Sequence, residues 1–261
     1  MATLVLMAAF AIQAALALEA ESREEVCDPT ADYFLGMEDY SEAIAAHRRF
    51  LESHPGDALA HYHLGFAYGM VGHLSDEITE YRKAEDLGLG KWDLFLNMGL
   101  AYLEENDLRA AVTALHRAVV LGPRHPEAHY NLALAYERVG KISEARDELL
   151  KSLRLDPDQP AADNMLGAIY AELGDFVRAR STWVDLCRRH PDFTPARENL
   201  TILWFIEAEE GTGTRARHPS ASNRQLATGT SLHDSRDPLA SERTAVERPV
   251  PIKHLSWDVH D

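Results

Sequence analysis

Apolar positions along the chain recur at steps of three and four residues, stop, and begin again. From Trp92 onward, Leu94, Phe95, Met98, Ala101 and Tyr102 fall on one helical face. Asn106-Asp107 interrupts the pattern, and Leu108, Ala111, Leu115, Ala118 and Leu121 make a second face. Gly122-Pro123 ends it, because proline lacks an amide donor and disfavours helix in the residue before it. The segment 92–125 therefore predicts helix, tight turn, helix, tight turn.

The same pattern returns at a fixed interval. Tyr68, Tyr102, Tyr136 and Tyr170 are spaced by 34 residues, and Gly65, Gly99, Ala133 and Gly167 precede them by three. Pro123, Pro157 and Pro191 keep the same step, and Pro55 lies two periods before Pro123. Such a period marks one supersecondary unit copied in tandem, which favours binding over chemistry. Small residues at Gly99 and Ala111 let two antiparallel helices approach, with Tyr102 and Leu115 filling the space around them. The next unit repeats this with Leu132, Ala133, Tyr136, Gly140, Ala145, Leu149 and Pro157. A further one has Leu166, Gly167, Tyr170, Gly174, Ala179, Trp183 and Pro191.

A large apolar residue, Leu-Gly-x-x-Tyr, a later Ala, an aromatic, another Ala and a closing Pro resemble the tetratricopeptide repeat. The resemblance covers 24–193 as five units, 24–57, 58–91, 92–125, 126–159 and 160–193. It implies an all-α, right-handed superhelical solenoid of antiparallel helix pairs. Residues 194–210, with Leu200, Leu203, Trp204 and Ile206, add an amphipathic helix expected to cap the last apolar face. Three departures stand out. Pro29 truncates the first leading helix, leaving Phe34 and Ala43 recognisable. In the second unit Glu77 replaces the small Ala, and Leu89 stands where the closing Pro belongs. In the fifth, Leu186 fills the second Ala slot.

The ends of the chain read differently. Thr3 to Leu18 is an apolar run of 16, short for a membrane span, with a small-x-small site at Ala15-Leu16-Ala17 near its end and Glu19 and Glu21 close behind. Residues 1–20 are expected to be a signal peptide, giving a secreted or periplasmic protein. The run lacks a basic n-region, so an uncleaved, weakly membrane-associated or capping helix in a cytoplasmic protein is the alternative. Beyond Glu210, a Ser-, Thr-, Arg-, Gly- and Pro-rich stretch without periodicity predicts a disordered tail over 211–261. Its terminal apolar group, Ile252 to Val259, reads either as a docking motif or as a chance cluster.

Charge narrows the partners. The net charge is −16, while residues 211–261 hold 7 Lys/Arg and 6 Asp/Glu, so the repeats carry the acidic excess. Such a surface repels phosphate backbones and anionic membranes, which argues against nucleic acid. Cys27 and Cys187, the two cysteines, fall in the first and last units, too far apart for a disulfide in an extended array. Cys187 reads as a small core residue, and nothing adjacent marks Cys27 as a nucleophile. Among His61, His63, His73, His125 and His129, only the last two have zinc-helix spacing. His125 precedes Pro126 in a turn and no third ligand is evident, so no metal, cofactor or small-molecule substrate is expected. Exposed or capping histidines are the plain reading. Gly88-Leu89-Gly90-Lys91 lacks the spacing of a phosphate loop, and no nucleophile elbow or hydrolase Cys/His pattern is present. A non-catalytic protein is expected, with a metal-dependent enzyme the remote alternative.

In tetratricopeptide proteins the first helix of each unit lines a concave face that holds an extended peptide or partner helix. By register, that resemblance assigns to the face Tyr62, His63, Phe66, Asn97, Leu100, Tyr130, Asn131, Leu134, Arg138 and Asn164. Asn97 and Asn131 lie 34 apart, as needed to hydrogen-bond a ligand backbone beside apolar pockets. Family members that clamp the C-terminal carboxylate of chaperone tails use Lys and Asn where Tyr62 and Phe66 stand here. They use a further Lys in place of Asp93 or Glu127. The expected role is a scaffold for an apolar peptide or amphipathic helix, with a cytoplasmic co-chaperone or assembly adaptor as the alternative.

Overall fold

The computed structural model describes residues 27–211, and those residues form eleven helices and no strand. They are α1 (Pro29–Gly36), α2 (Tyr40–Ser53), α3 (Ala58–Met70), α4 (Leu74–Asp86), α5 (Trp92–Glu105), α6 (Leu108–Leu121), α7 (Pro126–Arg138), α8 (Ile142–Leu155), α9 (Pro160–Glu172), α10 (Phe176–Arg189) and α11 (Thr194–Gly211). They divide after Leu89 into two compact units. Each odd-numbered helix from α1 to α9 packs on the even-numbered one that follows it, as tandem antiparallel pairs require. No described helix is long and apolar enough to cross a membrane. The expected signal peptide, the tail and the 252–259 motif lie outside the described residues.

The turn inside each pair has one chemistry. The residue after the first helix's end adopts a left-handed conformation, and the next amide reaches back to a carbonyl five residues earlier. Asp107 N–H donates to Tyr102 O at 2.9 Å, Lys141 N–H to Tyr136 O at 2.8 Å and Asp175 N–H to Tyr170 O at 2.8 Å. The left-handed position is Asn106 at φ 64° and Glu38 at φ 59°, and glycine in the other three turns. Glycine is the residue without a Cβ penalty there. The recurring tyrosine thus contributes its backbone to the turn as well as its ring to the packing. Asp39, Asp107 and Asp175 then cap the following helix through Oδ1 to the amides of Glu42, Ala110 and Arg178.

Close packing follows the small residues. A Cβ at Gly65 would lie 2.6 Å from the Tyr81 ring, and one at Gly99 or Gly167 would collide with Leu115 or Trp183. Ala111, Leu115, Ala118, Leu132, Ala133, Ala145 and Leu149 lie in one core of the second unit, with Tyr102, Tyr136 and Tyr170 against it. Two departures find their reasons here. Glu77 fits the small slot because Gly69 faces it, where a Cβ would sit 2.6 Å from the carboxylate. Leu89 must not be proline, because its amide donates to Ala84 O at 3.0 Å beside Gly88 at φ 91°. Helix α11 packs on α9 and α10 and buries Ala196, Asn199 and Leu203. Trp204 does not join that face and is 63% exposed.

Candidate functional site

The ten residues assigned to a concave face separate into two kinds. In the compact unit that ends at Leu89, Tyr62 is buried beside the rings of His63 and Tyr81 at 5.7 and 5.9 Å. Phe66 is half-buried and meets Tyr40 edge-on at 6.4 Å. His63 is not presented to any groove, since it is buried and donates from Nδ1 to Asp32 Oδ1 at 2.7 Å. In the compact unit that begins at Gly90, Asn97 is buried, and Asn164 Oδ1 accepts from Asn199 Nδ2 at 2.9 Å on the capping helix. These side chains serve internal packing.

Leu100, Tyr130, Asn131, Leu134 and Arg138 remain, all on α5 and α7. Leu100 and Tyr130 are half-buried, and Arg138 donates to Leu103 O at 3.1 Å, which fixes its guanidinium between the two helices. Asn131 is buried with Nδ2 donating to Glu127 O at 2.9 Å, and its Oδ1 has no hydrogen-bond partner among the described residues. Two acidic residues complete the surface. Burial and then the Glu172 carboxylate push Glu137 above its ordinary value, against the pull of Arg138. Burial likewise raises Glu172, and burial followed by Glu137 raises Tyr130. Sequence reasoning passed over both glutamates, since a lone acid on a helix reads as solvated surface.

His73 and His125 stand at helix N-cap positions, His73 exposed, but two other histidines depart from expectation. His61 and His129 are neither exposed nor caps: each is buried, with Nδ1 on a carboxylate of Glu80 or Glu148 at 2.5 and 2.7 Å. Their Nε2 atoms reach Pro55 O and Pro123 O at 3.2 and 3.1 Å. His125 stacks on Trp92 at 3.6 Å, so the His125/His129 spacing does not build a metal site.

Four other residues do converge. Potential ligand atoms of Cys27, Asp32, His47 and His63 all lie within 4.8 Å of one another, inside the first unit. Cys27 Sγ is 3.5 Å from both Asp32 Oδ1 and His63 Nδ1, and 3.9 Å from His47 Nδ1. The Cys27 amide donates to Asp32 Oδ2 at 3.0 Å, and His47 Nε2 stands 3.7 Å from Asp32 Oδ1. Burial, then the Asp32 charge, pushes the thiol far above its ordinary value. Burial, then His63, lowers His47 to about 4. Burial opposes ionisation of Asp32, but the bond and charge from His63, with His47, hold its carboxyl below the usual value. His63 turns one nitrogen, Nδ1, to both Cys27 and Asp32. His47 turns Nδ1 to Cys27 and Nε2 to Asp32, the latter at 3.7 Å and too long for the orienting hydrogen bond of a nucleophile–base–acid relay.

Sequence comparison bears on both regions. A family model described as tetratricopeptide repeat matches residues 30–88, 96–160 and 135–192. The chain belongs to the tetratricopeptide-repeat family. No curated protein matches the sequence. Among solved structures, the MamA protein is 22% identical, with a TM-score of 0.58 over 73% of this chain and 94% of that one. YrrB, described as a TPR protein with an unusual peptide-binding site, is 21% identical, with a TM-score of 0.61 over 74% and 97%. Pseudomonas aeruginosa PilF is 24% identical, with a TM-score of 0.58 over 70% and 83%. At these identities the likeness concerns the fold.

The tetratricopeptide register also exposes the signal that would have found the convergent group. His47 stands one period before Tyr81 and occupies the large-residue slot that Leu115, Leu149 and Trp183 fill later. Asp32 holds the slot of Phe66, Leu100 and Leu134, and Cys27 that of His61, Phe95 and His129. A polar residue in a tetratricopeptide core slot is an outlier only when the units are laid one upon another.

Proposed function

We propose that this tetratricopeptide protein is an exported, non-catalytic scaffold that holds a segment of another protein against α5, α7 and α9. The observation that carries the reading is the buried Asn131 Oδ1, without a hydrogen-bond partner among the described residues, on the helix that also carries half-buried Tyr130. That acceptor suits a backbone or side-chain N–H from an extended peptide, with apolar side chains alongside. The raised Glu137 and Glu172 favour a partner that also brings a Lys or Arg, since a cation there would relieve two crowded carboxylates. Export rests on the apolar run Thr3–Leu18 and the small-x-small site near its end.

Capture of partner from envelope extract tests the groove. The Tyr130→Ala/Asn131→Ala double variant should bind at least about tenfold more weakly, roughly 1.4 kcal/mol, while retaining its helicity. Equal capture by the variant would place the contact elsewhere. For export, the mass of the mature amino terminus decides, and an intact Met1 in a cytosolic fraction would overturn it.

A further inference from the structure

We propose that Cys27, Asp32, His47 and His63 form a closed zinc site that clips the first repeat to the leading helix of the second. The argument begins with the slots these residues occupy. The first unit has a leading helix of only eight residues, and at its centre the chain places His47, fully buried, where later units place Tyr81, Leu115, Leu149 or Trp183. A polar ring there is costly unless it is satisfied, and its Nε2, 3.7 Å from Asp32 Oδ1, has no hydrogen-bond partner among the described residues. A metal ion is the partner that answers all four groups at once.

Geometry and donor chemistry agree. Tetrahedral zinc with bonds of about 2.0–2.3 Å has ligand–ligand edges of roughly 3.3–3.8 Å. Two edges at Cys27 are 3.5 Å, to Asp32 and to His63, and with His47 bound through Nε2 its edge to Asp32 is 3.7 Å; potential ligand atoms of all four residues lie within 4.8 Å of one another. Only the Asp32–His63 edge, 2.7 Å, is short, because it is a hydrogen bond. Replacing that proton by zinc requires the two atoms to part by only ~0.6 Å. One thiolate and one carboxylate balance the dication, and two neutral imidazoles complete a borderline-soft set that suits zinc better than magnesium or calcium. Four protein ligands leave no open position, so the site is structural rather than catalytic. Half-buried Cys27 is the side from which the ion enters.

The ligands come from the residue pair before α1, from α1 itself, from α2 and from α3. Zinc therefore ties the short first helix to both helices it packs against, and metal binding becomes folding energy for this end of the array.

The test uses the untagged full chain, loaded with zinc or cobalt(II) and dialysed. One zinc per chain by elemental mass spectrometry is expected, together with a thiolate-to-cobalt charge-transfer band and the intense visible bands of tetrahedral cobalt. Cys27→Ser and His47→Gln should each weaken zinc at least about 100-fold against a chromophoric chelator and abolish the thiolate band. Cys187→Ser should change neither. Failure of wild-type protein to take up zinc or cobalt, or uptake unchanged in Cys27→Ser, overturns the assignment. The wild-type spectrum reports the ligand set even if a variant fails to fold.

Discussion

Gly99 and Leu115 approach so closely that a single methyl group has nowhere to go. Gly99→Ala should therefore destabilise the protein by about 1–3 kcal/mol in urea unfolding. Adding Leu115→Ala should cost less than the sum of the two single changes, because the second removes the clash created by the first. Two glutamates should show opposite pH signatures. Burial opposes the charge of Glu148, but bonds from His129 and Lys151 outweigh it and hold its pKa below the ordinary 4.5. Its contribution is present above that value and is lost as pH falls through the folded pKa. Glu137 is raised, so protonation favours its folded form, and stability is regained as pH falls through the raised pKa towards 4.5. Glu148→Gln should flatten the acid loss in a melting-temperature profile. Glu137→Gln should instead raise stability at neutral pH, by up to about 1 kcal/mol. An unchanged profile in either variant would remove that residue from the account. The 34-residue spacing made Gly99 and Tyr102 legible, because one contact is copied several times. Asn131 was legible as a position but not as an acceptor, since that depends on which amide edge the Glu127 carbonyl takes.

At the scale of the helix pair, the turns matter more than helix propensity. The left-handed residue after each first helix is set by geometry, so Gly140→Ala should cost about 1–2 kcal/mol although nothing crowds its side chain. Leu89→Pro would bring the second unit closer to the family pattern and yet should lower stability, by about 1 kcal/mol or more. The reason is the amide lost to Ala84 O. Thermal unfolding followed by circular dichroism checks both, and a stabilised Leu89→Pro would contradict the turn assignment. Helix number and pairing were readable from apolar spacing alone. What spacing missed was compensation between slots: Gly69 making room for Glu77, or Asn199 on the last helix satisfying Asn164. Such pairs lie in different helices and carry no period.

For the whole molecule, a repeat array is stable locally, each part through its own neighbours. Chelating zinc should accordingly speed amide hydrogen exchange in α1–α3 and leave α5–α11 nearly unchanged. A uniform loss of protection would speak against a local clip. The same view gives the first turn a particular fate. Glu38 adopts the left-handed conformation at φ 59°, where three of the other turns have glycine, and it carries the strain that side chains pay there. This one turn joins the two elements that zinc would fasten. Within residues 27–211, a protease presented with the metal-free chain should nick first near Glu38, and Glu38→Gly should slow that cut.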